Sequence, residues 1–132
     1  METFTAKGSF TVKTTPAGEP NKIGETTLGE YLVQKVFSGD IQGNSQFEMH
    51  TAGSNNGAAA YIAMEVVTGT LQGKAESFVL MHTGTMSKTS SELTITIAPE
   101  LATGDLKGLE GKFSINVVGK EHFYVMEYSL PG

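Results

Sequence analysis

A chain of 132 residues, 39% hydrophobic and 17% charged, carries material for one globular core and no second one. The absence of cysteine excludes a disulfide scaffold, a thiolate zinc site and a cysteine nucleophile. The nine cations are all lysine and the formal net charge is -5. That balance is poor for nucleic acid or polyphosphate, where positive charge and forked guanidinium contacts supply much of the affinity.

The first residues, Met1 to Lys13, alternate apolar and polar positions, so no leader, lipid anchor or membrane span is expected and the cytoplasm is the expected compartment. Along the chain no stretch of a dozen residues holds the helical i, i+3, i+4, i+7 pattern without a Gly or a β-branched run interrupting it. Sixteen Thr and many Val, Ile, Phe and Tyr favour extended backbone instead. The spacing predicts eight strands, over Phe4–Lys13, Glu25–Phe37, Asn44–Ala52, Ala59–Leu71, Lys74–Met86, Glu92–Ala98, Lys112–Val118 and Phe123–Leu130. Thr14–Gly24, with Pro16 and Pro20, reads as a loop, and the other links are short. Short links make neighbours antiparallel. Eight such strands are expected to form one all-β domain over residues 1–132, an eight-stranded antiparallel closed β-barrel without exposed edges.

A six-residue pattern occurs three times: Ser38-Gly39-Asp40-Ile41-Gln42-Gly43, Thr68-Gly69-Thr70-Leu71-Gln72-Gly73 and Thr103-Gly104-Asp105-Leu106-Lys107-Gly108. It reads as strand-end geometry, with Gly supplying positive φ and the aliphatic residue plugging the barrel end. A phosphate cradle would need a helix after the glycines, and none is expected.

Turn positions decide which side chains share a face. A two-residue turn at Gln72-Gly73 sets Val67 opposite Phe78, Glu65 opposite Leu80 and Ala63 opposite His82. A turn at Gln42-Gly43 sets Phe37 opposite Glu48 and Lys35 opposite His50, and one at Asn56-Gly57 sets Glu48 opposite Glu65. One face then carries Val33, Lys35, Phe37, Glu48, His50, Tyr61, Ala63, Glu65, Val67, Phe78, Leu80 and His82. The other carries Leu32, Gln34, Val36, Phe47, Met49, Ile62, Met64, Val66, Val79 and Met81. Hydrophobicity alone would make the second face the core.

The segments Lys35-Val36-Phe37-Ser38-Gly39-Asp40, Tyr61-Ile62-Ala63-Met64-Glu65, Ser77-Phe78-Val79-Leu80-Met81-His82-Thr83-Gly84-Thr85 and Pro99 to Gly111 carry a resemblance. In that order they resemble the signature of an uncharacterised bacterial family, domain of unknown function 3224, similar to the allene oxide cyclase barrel group. Glu100 and Leu101 depart from the small residues usual after the Pro, and Met81 stands where the family commonly has Gln. The resemblance implies an allene oxide cyclase-like barrel with an apolar lumen. It also implies that the face bearing Glu65 and His82 points inward, against the hydrophobicity reading.

With that face inside, Lys35, Glu48, Glu65 and His82 fall within a few strand spacings of one another, at about 4.8 Å per strand. Buried charges must pair or neutralise, and an imidazole beside carboxylates can accept or supply a proton. Tyr61, Phe78, Leu80, Tyr124, Met126 and Tyr128 would wall an apolar pocket with few polar groups, the usual make-up of a small-molecule site. The same residues also suit a purely structural buried network, with Lys35 neutralising Glu48 or Glu65 and His82 bonded to the Tyr61 hydroxyl.

Two functions are therefore expected. One is a carrier or sensor binding a small apolar molecule in the lumen through Lys35, Glu48, Tyr61, Phe78, Leu80, Tyr124, Met126 and Tyr128. The other, in the style the resemblance implies, is a cofactor-independent isomerase or cyclase. Glu65 would stabilise positive charge or take a proton in it, and His82 or Tyr61 would orient an oxygen. No cofactor is expected. A metal site from Glu48, His50 and Glu65 is geometrically conceivable. Ser77 and Ser87 lack the turn and base of a nucleophile, and Lys88 to Ser91 read as a polar hairpin loop. An outward stripe of Leu32, Val36, Ile62, Met64, Val66 and Met81 would need covering, so a homo-oligomer is expected, either alongside binding or as the barrel's whole purpose.

Overall fold

The protein was analysed as a computed structural model, which describes residues 2–131. Its strands are β1 (Phe4–Pro16), β2 (Asn21–Ile23), β3 (Thr26–Gly39), β4 (Ile41–Ser54), β5 (Ala59–Leu71), β6 (Lys74–Met86), β7 (Ser91–Ile97), β8 (Thr103–Gly104), β9 (Glu110–Val118) and β10 (Glu121–Ser129). The order β1-β10-β9-β7-β6-β5-β4-β3 returns to β1, because β1 also pairs with β3 from Gly8↔Gly39 to Pro16↔Tyr31. The result is a closed eight-stranded barrel in which every pairing is antiparallel, with β2 and β8 as short additions to β3 and β6. Its narrowest seam is β7 to β9, where only Ile95↔Phe113 and Thr96↔Lys112 pair. No described helix is long and apolar enough to cross a membrane.

The β5–β6 hairpin has the bounds and register that its turn chemistry predicts. Gln72 and Gly73 both take left-handed φ, 48° and 87°, the geometry that matches strand twist across a two-residue loop. Val67 accordingly faces Phe78, Glu65 faces Leu80 and Ala63 faces His82.

The β3–β4 hairpin corrects the expected register. The chain reverses at Gly39-Asp40, where Gly39 has φ 100°, and Gln42-Gly43 lies inside β4. Lys35 therefore faces Ser45, Val33 faces Phe47, and Glu48 faces Leu32. The reversal into β5 runs over residues 55–58, with the Ser54 N–H donating to the Ala58 carbonyl at 2.8 Å. A register shift by an odd number of residues exchanges the faces of a strand, so in β4 Ser45, Phe47 and Met49 point inward while Glu48 and His50 stand in solvent. The stretch expected as a loop is also more ordered: β1 runs on to Pro16, and Asn21–Ile23 folds back on Thr26–Leu28 through Gly24.

Elsewhere the mixed face is the inner one. Val33, Lys35, Phe37, Ala63, Glu65, Val67, Phe78, Leu80 and His82 are all buried, whereas Val36, Ile62, Met64 and Val66 are 47–62% exposed outside. The repeated motif closes one end. Its three aliphatic residues, Ile41, Leu71 and Leu106, are almost wholly buried and join Leu109, Phe37, Phe113 and Tyr124 in the main core. The Tyr124 hydroxyl accepts from the Ile41 N–H at 2.8 Å and donates to the Ser38 carbonyl at 2.9 Å, tying β10 across this plug. Asp40 and Asp105 take the same place in their copies. Asp40 accepts from the Lys7 N–H at 2.8 Å, and Asp105 accepts from the Ala75 N–H at 3.3 Å, so each motif docks on a strand distant in sequence.

Candidate functional site

Three neighbouring strands and β6 beside them bring one carboxylate, one ammonium and one imidazole together in the other half of the barrel. Register places Lys35 of β3 opposite Ser45 of β4 and Ala63 of β5 opposite His82 of β6, with Glu65 one inward position along from Ala63. Glu65 is 0% exposed, Lys35 5%, Ser45 5% and His82 3%. Glu65 Oε1 accepts from Lys35 Nζ at 3.1 Å and from His82 Nε2 at 2.8 Å, and Oε2 accepts from Ser45 Oγ at 2.6 Å. Burial alone would push this carboxyl up. The bonds from His82 and Ser45 and the Lys35 charge outweigh it and hold Glu65 below the usual glutamate range, hence ionised.

An ionised carboxylate only accepts, so His82 donates Nε2–H to it. In the neutral ring this leaves Nδ1 as an acceptor, 3.3 Å from the Tyr61 hydroxyl. Burial and the nearby Glu65 charge push the Tyr61 phenol up, so it keeps its proton. The Phe47 ring stacks on His82 with centroids 5.5 Å apart. Phe10, Phe47 and Phe37 surround the Lys35 ammonium at 4.7, 5.3 and 5.9 Å, an aromatic cage in place of water. Among the described residues no buried side-chain nitrogen or oxygen lacks a hydrogen-bond partner.

Beyond Tyr61 the barrel is open. Inward positions of β4, β5, β6 and β7, among them Met49, Thr51, Ala59, Tyr61, Gly84, Met86 and Leu93, line a largely apolar cavity of about 330 Å³. Gly84 has a local reason. A Cβ there would run into the Tyr61 ring, so only glycine lets that ring lie against β6 and reach His82.

The site residues expected from the sequence fall into three groups in space. Lys35, Tyr61, Glu65 and His82 meet as one hydrogen-bonded chain. Phe78, Leu80, Tyr124, Met126 and Tyr128 point inward as alternation predicts, yet they fill the plugged half as solid core and line no part of this cavity. Glu48 lies on the outer surface, a correction that follows from the β4 register. His50 is outside with it, 3.8 Å from Glu30, so the constellation Glu48, His50 and Glu65 is split by the barrel wall. Ser45, Phe47, Phe10 and Met49 escaped the sequence reading. The alternation Ser45-Gln46-Phe47-Glu48-Met49-His50 would have found three of them, since one parity is apolar or small and the other polar.

Residues 6–128 match the family described as Protein of unknown function (DUF3224). A crystal structure of a protein of unknown function from that family, from Shewanella oneidensis MR-1, is similar over 99% of this chain and 100% of its own, at 34% identity and a TM-score of 0.91. No curated protein matches the sequence.

Proposed function

We propose, for a chain that belongs to the DUF3224 family, that the barrel binds a small, mostly apolar molecule at its open end. The observation carrying this reading is the Tyr61 boundary. On one side lies an apolar cavity of about 330 Å³, a size suited to small ligands, and on the other a buried Lys35–Glu65–His82 network. Such a wall gives affinity by area, and hydroxyl-bearing side chains at its border, Tyr61 among them, fix orientation. The test is a titration of a methyl-labelled sample with octan-1-ol, following Met49 and Met86. Saturable shifts that disappear in Ala59→Phe, which fills the cavity, support binding; shifts absent from both proteins end the proposal.

The same geometry weighs against the alternative of a cofactor-independent isomerase or cyclase run by Glu65. Both Glu65 oxygens are occupied by three donors between them, and Tyr61 lines the cavity while Glu65 does not.

The outer stripe supports a second element of the proposal, pairing with another copy of this chain. Ile62, Met64 and Val66 are exposed one after another on the outer face of β5, with Met81 of β6 beside Met64 and with Glu48 and His50 of β4 at the border. A patch bearing an acid and an imidazole is self-complementary about a twofold axis. Sedimentation of Met64→Lys should give a monomer where the parent gives a dimer, and a monomeric parent at high concentration removes this element.

A further inference from the structure

The hydrogen-bond accounting around Tyr61 restricts what can bind beside it. The phenol has one proton. With His82 neutral and its Nε2–H committed to Glu65 at 2.8 Å, that proton points at Nδ1, 3.3 Å away. A ligand that donates to the phenol oxygen leaves this arrangement intact. A ligand that accepts the phenol proton does not, because it leaves the bare Nδ1 facing a phenol lone pair in a buried site. Two facing acceptors are costly there, and the relief is a proton on Nδ1, which then donates to the Tyr61 oxygen.

Charge then selects among accepting ligands. Lys35 and Glu65 already neutralise each other at 3.1 Å. Protonated His82 therefore adds one uncompensated positive charge, and a ligand carrying one negative charge balances it. Among the described residues no other charged side chain competes for His82 from within the barrel. β5 supplies Glu65 and Tyr61, β3 supplies Lys35 through Glu65, and the β4 and β7 neighbours are Phe47 and Ile95. Glu92 lies at the cavity edge on β7, and Glu48 and His50 lie on the opposite surface of the wall.

We propose that the cavity takes a small monocarboxylate with an apolar body, and that its binding is accompanied by uptake of one proton from solvent at His82 Nδ1. The inference rests on the binding reading above. Tyr61 donates to the carboxylate and accepts from His82, and Met49, Met86 and Leu93 hold the apolar body. Binding is thereby linked to pH. Octanoate affinity rises as the pH falls, by at most about tenfold per unit for one proton taken up.

The experiment is calorimetry of octanoate and of octan-1-ol at one pH, in two buffers of different ionisation enthalpy. The histidine ring protons are followed by NMR in the same titrations; with three histidines in the chain, His82→Gln assigns the signals. Expected are uptake of about one proton per octanoate, none for octan-1-ol, and a change at the His82 ring alone. Octanoate binding without proton uptake overturns the proposal, as does uptake at His50 or His122, or an octan-1-ol affinity that exceeds that of octanoate across the acidic range. If octan-1-ol binds and octanoate does not, this inference fails and the cavity remains a ligand site; if neither binds, the underlying reading fails. Should His82→Gln not fold, the wild-type comparison still decides, because His50 and His122 are distinguishable by their own substitutions.

Discussion

Lys35 Nζ and Glu65 Oε1 stand 3.1 Å apart inside the barrel, with 5% and 0% of their side chains exposed. They pair as opposite charges in the buried network, but their remaining partners differ. Glu65 keeps His82 and Ser45 if the lysine is lost, whereas Lys35 keeps only aromatic faces if the carboxylate is lost.

That asymmetry orders a mutant cycle. Glu65→Leu strands a buried ammonium and is expected to cost about 3–5 kcal/mol of unfolding free energy; Lys35→Met is expected to cost less. The double variant should lose clearly less than the sum of the two, since replacing a buried pair by apolar side chains removes the uncompensated charge. Urea denaturation of the four proteins measures this, and strict additivity would show that the two charges do not hold each other.

Acid should weaken the fold through the same carboxylate. Its folded-state pKa is depressed, so Glu65 contributes stability that is complete above the ordinary glutamate value of about 4.3 and is lost as pH falls through the lower, folded-state value. The stability difference between the parent and Glu65→Gln should accordingly shrink as the pH falls below about 4. A difference independent of pH down to unfolding would mean that Glu65 titrates normally.

Most of this network could be read from residue order, and what could not be read has a single cause. Tyr61, Glu65 and His82 lie on strands whose parity is fixed by one unambiguous turn, Gln72-Gly73. Lys35 keeps its expected face because the turns at both ends of β4 differ from expectation by an odd step, and the two changes of parity cancel in β3. In β4 two Gly-containing turns compete. Gly39-Asp40 and Gln42-Gly43 are both plausible reversals, and choosing the second slipped the strand by one parity, carrying Glu48 inward and Ser45 and Phe47 outward. The division of the lumen into a solid half and an open half was illegible for another reason. Alternation tells which side chains point inward, and gives no measure of how much room remains between them. Tyr124, Met126 and Tyr128 satisfy the inward pattern as well as Tyr61 does, yet they pack into one buried cluster with Phe37, Phe78 and Phe113.

Gly84 offers a direct handle on the Tyr61–His82 contact. A methyl group at this position meets the Tyr61 ring, so Gly84→Ala should push the ring off β6 and cost about 1–3 kcal/mol. Loss of the 3.3 Å contact to Nδ1 should also alter the His82 ring chemical shifts, and Tyr61→Phe should alter them in the same sense without the steric cost. Unchanged shifts in both variants would show that the hydroxyl and the imidazole do not interact.

The plugged end depends on glycine in two distinct ways, and alanine substitution separates them. Gly43 and Gly69 face each other across β4 and β5 so closely that a Cβ on either would run into the partner strand's backbone, Thr68 or Gln42. Gly69 also has φ +150°. Gly73 has left-handed φ, +87°, with open space around it. Gly73→Ala should cost only the conformational penalty, about 1–2 kcal/mol. Gly69→Ala must also force β4 and β5 apart beside the Ile41 and Leu71 plug, and should cost about 3 kcal/mol or more. Equal losses in denaturant titrations would mean that backbone conformation alone explains both positions, and that the close approach of β4 and β5 relaxes freely.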